Sequence, residues 1–448
     1  MLYNFQTPIA CTKMKPVDFI AAGQNRGALA VFMTLLATML GASATLGVAE
    51  SAERIGFPAA WWLLCGCLGL ALQSALLSGR IRSTGAKTLP ELARITVGPA
   101  AQRLIAAVIV LSWPAVVGAQ FAACAGLVGA FTGTEARTAV IIVSAAIVIL
   151  YTLVGGQRAV VRTDAWELLV LALGFGGLFL WVFSGRCGGT PVTAERIRLF
   201  SDAFSPRDLR LMLPTVAGAY FLGPDIASRS IVARDGRTAR RAVLASVPVL
   251  AVFSIAIALA GLWAAQNAPG PGNPVMRIAA LLPAPLRWCL AAGLLAALLS
   301  TADTCLVNAA AIFSNDLLGI GSVRAVRWSV AAIGLAATAL AVYGGDIIGI
   351  LMLAYSVYVP GVVCPLAVAI IADGRVAKGL WLAAVAIGGA CGLASAICQS
   401  IPSLPVVGMA LSLLVAIASL RGERGAAKAA MHNAQCIMHN GSGEFECR

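Results

Sequence analysis

Residues 295–316 read LAALLSTADTCLVNAAAIFSND, an apolar run as long as a membrane span that carries Ser300, Thr301 and Asp303 at its centre. Polar groups at that depth need a partner, commonly an ion. The rest of the chain has the same character. Hydrophobic residues make up 60% of it and charged residues 11%, with a mean hydropathy of +0.89, a composition that excludes a soluble globular domain of this size. A helix crosses the hydrocarbon core with roughly 20 apolar residues. Twelve stretches qualify, near 27–48, 58–77, 103–131, 138–154, 160–183, 209–231, 242–265, 286–313, 323–342, 347–372, 379–398 and 404–420. The expected fold is therefore an all-α polytopic membrane protein of about 12 helices, with only short loops near 184–208 and 266–285.

Twelve spans give alternate loops to opposite sides, so the positive-inside rule orients the bundle. The amino-terminal segment and every second loop hold 23 of the 32 Lys and Arg residues; the other side holds nine, five of them around residues 184–208. Both termini are accordingly expected in the cytoplasm of a cell whose inner (plasma) membrane holds the chain. The net charge of +13 is read as contact with anionic lipid headgroups, not with nucleic acid. The first span has a second reading, since Lys13, Lys15 and Arg26 precede an apolar run ending in Gly-Ala-Ser-Ala, as in a cleavable signal. Its place in a repeat favours retention.

That repeat comes from counting. Spans one to five occupy 27–183 and spans six to ten occupy 209–372, two blocks of nearly equal length, after a cytoplasmic segment 1–26 and with the extracytoplasmic loop 184–208 between them. Two further spans within 373–420 and a tail, 421–448, follow. Five is odd, so the second block enters from the opposite face, the arithmetic of an inverted repeat. The leading span of each block carries a breaker at matched depth, Gly41-Ala42-Ser43 in the first and Gly223-Pro224-Asp225 in the sixth. Breakers free carbonyls and amides at mid-membrane, where they are tolerated only around a cavity. Half-helix ends meeting there can hold a cation through carbonyls and a solute through amides. Close packing of small residues is the plainer explanation of either breaker taken alone.

Sodium is a hard cation that prefers several oxygens of low total charge, and Ser300 and Thr301 offer two hydroxyls. Alone they are a weak signal, because Ser and Thr often bond back to the i−4 carbonyl of their own helix. Asp303 beside them strengthens it. The stretch 296–304, Ala-Ala-Leu-Leu-Ser-Thr-Ala-Asp-Thr, resembles the eighth-core-helix motif of the sodium/solute symporter family. Three more segments match that family in order: Thr88-Leu89-Pro90-Glu91-Leu92, the run from Gly155 to Asp164, and Pro224 through Arg229 to Asp235. The resemblance covers about residues 17–420. It implies the five-plus-five inverted-repeat fold with broken first and sixth helices. It also implies a sodium site built from the hydroxyls of Ser300 and Thr301 and the carbonyls of Ala42, Thr45 and Ala297.

Asp164 has two readings, as an acidic residue complementing the dipole of span five or as a carboxylate on the cytoplasmic ion path, where Asp303 also belongs. Asp225 lies in a helix break where a carboxylate meets a cationic or hydroxylated solute; Ser43, Trp113 and Tyr220 are the other candidate pocket residues. Membrane aromatics are more often packing or interfacial anchors. Three departures from the family stand out: no leading helix precedes the first broken span, Glu50 and Glu53 replace small or aromatic residues, and Glu167 replaces a usual Gln.

The expected function is symport of a small polar organic solute driven by sodium through alternating access, with sodium as the coupling ion, no other cofactor, no covalent chemistry and no obligatory protein partner. The rivals are a proton-coupled carrier using Asp164 or Asp303 and a transport-inactive, sensor-like relative. His432 and His439 both fall in the tail, so no histidine relay or transition-metal site is expected in the bundle. The cysteines read as small apolar packers. The tail repeats Met-His-Asn at 431–433 and 438–440 and is read as a disordered extension.

Overall fold

The computed structural model describes residues 22–133, 136–397 and 401–420, with the backbone alone at 22 and 155–162. The tail and its two histidines lie outside the described residues, as does most of the amino-terminal segment. The described chain is helical, with isolated bridges but no strand. Its α-helices are α1 (Ala28–Met39), α2 (Val48–Ile55), α3 (Trp61–Leu76), α4 (Ser78–Ser83), α5 (Leu89–Thr96), α6 (Pro99–Thr132) and α7 (Arg137–Phe183), then α8 (Pro206–Leu222), α9 (Pro224–Val232), α10 (Gly236–Asn267), α11 (Pro274–Leu281), α12 (Ala284–Ala311), α13 (Val323–Tyr343), α14 (Ile347–Tyr358), α15 (Cys364–Ile371), α16 (Lys378–Ile397) and α17 (Leu404–Ala418).

Among the described residues, nine helices are long and apolar enough to cross a membrane, ten when the bent pair α1 and Ser43–Ile55 counts as one span. The other two expected spans, near 209–231 and 404–420, are the interrupted pair α8–α9 and the 15-residue α17; neither reaches that length and apolarity as one helix. Helix α7 holds two spans, Arg137–Val154 and Thr163–Phe183. The Tyr151 and Thr163 hydroxyls stand 3.5 Å apart. A straight helix would separate their backbones by about 18 Å, more than the two side chains can span, so α7 bends between them.

Both anticipated breaks are present. Span one bends by 56° between Met39 and Ser43, then runs through a π-helical turn, Ser43–Gly47. Gly41 sits at the bend for lack of a side chain: a Cβ there would lie 2.6 Å from Thr301 Oγ1 and 2.9 Å from Gln120 Oε1. Span six stops at Leu222, Gly223 is extended (ψ 144°), and Pro224, which has no N–H to leave unpaired, opens α9. The carbonyl of Leu222, freed by the break, accepts from the Tyr358 hydroxyl. Such a group must be satisfied inside the protein.

Packing between spans relies on small residues, as expected where lipid supplies little hydrophobic drive between helices. The contact of α3 with α8 is the clearest case, since a Cβ on Gly69 would stand 2.2 Å from the Ala217 carbonyl oxygen. Gly69→Val is expected to force these helices apart and cost about 1–3 kcal/mol. Thermal unfolding of the purified protein in detergent checks this; an unchanged midpoint would mean that the contact yields freely.

Candidate ion and solute site

Helix α12 is buried where it meets the bend of span one, and α1, α6, α7 and α9 pack around it. Thr301 Oγ1 lies 3.1 Å from the Thr38 carbonyl oxygen and 2.9 Å from that of Ala297. A hydroxyl carries one proton, so these three oxygens share a single hydrogen. Across the bend the Ala42 N–H donates to Gln120 Oε1 at 2.9 Å, and Thr45 Oγ1 donates to the Gly41 carbonyl at 2.8 Å. Thr301 and Ala297 are thus brought against the broken helix, whose own turn holds Ala42 and Thr45.

Ser300 is not part of that junction. One residue on a helix is a rotation of about 100°, and Ser300 Oγ is turned to Asp164 Oδ1 at 2.6 Å. The structure therefore divides the two hydroxyls expected to act together.

Asp164 is the hub of a second, fully buried network. Its carboxylate also accepts from Thr34 Oγ1, and its Oδ2 lies 3.6 Å from Arg229 Nη2, both charged side chains being 0% exposed. Arg229 Nη2 donates to Thr38 Oγ1 at 2.6 Å and to Thr304 Oγ1 at 2.5 Å. Four helices, α1, α7, α9 and α12, are tied through this one ion pair. Asp303 is buried nearby, and its Oδ1, Glu167 Oε2 and Arg229 Nη1 have no hydrogen-bond partner among the described residues. Three carboxylates and a single guanidinium share the neighbourhood. Arg229 was visible in the sequence only as part of the sixth-span motif; a buried carboxylate's need for a counter-charge is the signal that would have singled it out. Thr34, Thr38 and Gln120 offered no such signal.

A third feature adjoins the first. Ser43, Trp113, Tyr220 and Asp225, the four expected pocket residues, all line one cavity of about 30 Å3 between the two helix breaks, with Gln120 and Tyr355. That is space for one or two waters. A solute pocket normally measures about 300–1,000 Å3, so the site stands closed. Aromatic rings form its wall: Trp113 meets Tyr358 edge-on at 4.9 Å and Tyr355 at 6.5 Å, and Trp62 stacks on Tyr355 at 6.2 Å. At the far end of span one α2 is latched by Arg277 to Glu53 at 2.7 Å and by Arg54 to Asp346 at 3.4 Å. At the other end Arg26 pairs with Val232 and Arg234 through backbone bonds of 3.0 and 2.9 Å. No group of three or more His, Cys, Asp and Glu suited to a metal ion occurs among the described residues.

A helical bundle with two interrupted spans meeting around a closed polar cavity is the architecture of a membrane carrier. The chain belongs to the sodium:solute symporter family, whose sequence profile matches residues 19–324. Among solved structures it is similar to a Na+-coupled sialic acid symporter in a substrate-bound, outward-open state, with a TM-score of 0.68 at 14% identity over 90% of this chain and 91% of that one. It is also similar to Mhp1, a nucleobase-cation-symport-1 family transporter in a closed conformation with bromovinylhydantoin bound, with a TM-score of 0.63 at 16% identity over 92% and 95%. At such identities the shared property is the fold. No curated protein matches the chain in sequence.

Proposed function

We propose that this symporter couples downhill sodium entry to uptake of a small polar organic solute by alternating access across the inner membrane, with both termini cytoplasmic. The observation that carries the reading is the junction of Thr301 with the bend of span one, where three oxygens share one hydrogen. A sodium ion completes such a set, because it replaces the missing donor with a charge that every oxygen faces. Ala42, Thr45 and Ala297 contribute carbonyls to the ion and Thr301 its hydroxyl. Ser300 joins when it leaves Asp164, which passes the ion onward toward the cytoplasm with Asp303. The five-helix blocks 27–183 and 209–372 supply the two halves that rock around the site, leaving the two later spans outside the motion. The outward-open state and the substrate of the sialic acid symporter, and the closed state of Mhp1, lend support by showing this fold at different points of a transport cycle.

The test is the pair Ser300→Ala and Thr301→Ala, alone and together, in purified protein titrated with sodium while thermal stability is followed. Thr301→Ala is expected to abolish the sodium-dependent rise, and the double variant to do so completely, without loss of the fold, since each removes one hydroxyl from a site of about five oxygens. A double variant that titrates like the parent would refute the assignment.

A further inference from the structure

We infer that the cavity between the helix breaks recognises an organic cation, a solute carrying an ammonium or quaternary ammonium group. This rests on the transport reading above and names the substrate class for that same site. Asp225 is the one carboxylate lining the cavity, and no Lys, Arg or His lines it. It is 8% exposed and accepts from the backbone N–H groups of Asp225 and Ile226 at the start of its own helix, so its hydrogen bonds are neutral ones and bring it no charge. The nearest basic residue on its own helix is Arg229, one turn further, and that guanidinium is turned to Asp164, Thr38 and Thr304. A buried carboxylate without a counter-ion is costly, so a bound cation relieves the site and an anion is repelled.

The neighbours of Asp225 suit the same ligand. Trp113, Tyr220 and Tyr355 line the cavity with it; Tyr358 backs Trp113 and Trp62 backs Tyr355. Aromatic faces beside a single carboxylate attract cations through their quadrupoles, most strongly where water is excluded. A neutral polyol would want several fixed donors and acceptors, and the amide oxygen of Gln120 is already engaged by the Ala42 N–H. The carboxylate also lies in the first turn of α9, where it opposes the helix dipole. That role needs no aromatic wall.

Calorimetry on the purified full chain at saturating sodium tests this with matched probes: choline against its uncharged dimethylbutanol isostere, and tyramine against propylphenol. The charged member of at least one pair is expected to bind about tenfold or more tightly than its isostere, a gap of the size that a desolvated cation–aromatic contact supplies. Asp225→Asn should close the gap by weakening the cation alone, and Asp225→Glu should restore part of it. Equal binding within each pair, no binding by either cation, or an Asp225→Asn variant that keeps the preference would overturn the inference. So would loss of sodium stabilisation in Asp225→Asn without solute, which would give the carboxylate to the metal ion. Cation-selective binding indifferent to sodium would uphold this inference and count against symport; sodium-dependent binding without charge preference would do the reverse.

Discussion

Arg229→Ala is expected to destabilise the protein by about 3–5 kcal/mol, because it strips a buried carboxylate of its counter-charge. Asp164 is 0% exposed, as is Arg229, and the pair is 3.6 Å apart at its nearest atoms. Removing the guanidinium also removes the donors to Thr38 and Thr304, and it leaves Asp164, Glu167 and Asp303 to repel one another with no cation between them. An apolar pair of similar volume, Asp164→Leu with Arg229→Met, should recover much of the loss, since deleting both charges removes the desolvation penalty as well as the attraction. Unfolding of the three variants in detergent beside the parent provides the measurement. If Arg229→Ala unfolds with the parent, or the double variant is weaker than the single one, the ion pair does not hold the four helices as described. The double variant is expected to be inert in transport whatever its stability, since it deletes the carboxylate proposed to pass the ion onward.

The two breaks were legible because glycine and proline act through the backbone, whatever surrounds them. Gly41 and Gly223-Pro224 interrupt their helices where the sequence placed them. The polar centre of α12 was legible for the same kind of reason: Ser300, Thr301 and Asp303 are conspicuous in an apolar run. Their division was not legible. Adjacent residues point about 100° apart, and only the neighbouring helices decide that Thr301 meets the carbonyl of Thr38 while Ser300 meets Asp164. Gln120, Thr34 and Tyr355 were silent for a related reason. Each is an ordinary residue of a membrane span whose meaning comes from helices far away in the chain, as with the Gln120 amide that meets Ala42. Glu53 reads as a departure from the family and Arg54 as nothing at all, and their partners Arg277 and Asp346 lie more than two hundred residues on. Exposed pairs of this kind contribute little each, so neither propensity nor burial pattern announces them.

Sodium is expected to raise solute affinity, and the solute to raise sodium affinity by the same factor, about 5–150-fold. The equality is a thermodynamic necessity once both ligands bind one protein; its size depends on how differently each binds the two conformations. The proposed ion site and the cavity share a wall. Thr301, Gly41 and Thr38 border the cavity that Asp225 and the aromatic residues also line, so a sodium ion that fixes the bend of span one fixes the wall against which the solute sits. Sodium binding favours opening of the cavity only if it holds the bend in the solute-competent form. Asp164→Asn should slow turnover more than it weakens either ligand, because Asp164 contacts Ser300, Thr34 and Arg229 and not the junction at Thr301. Calorimetry run in both orders, with uptake into vesicles under imposed sodium or proton gradients, measures all of this. Unequal coupling factors would show that the two ligands do not report on one equilibrium. Uptake that follows the proton gradient and ignores sodium would move the coupling role to the buried carboxylates beside Asp164, those of Glu167 and Asp303, whose unpartnered oxygens are then the place where a proton is carried.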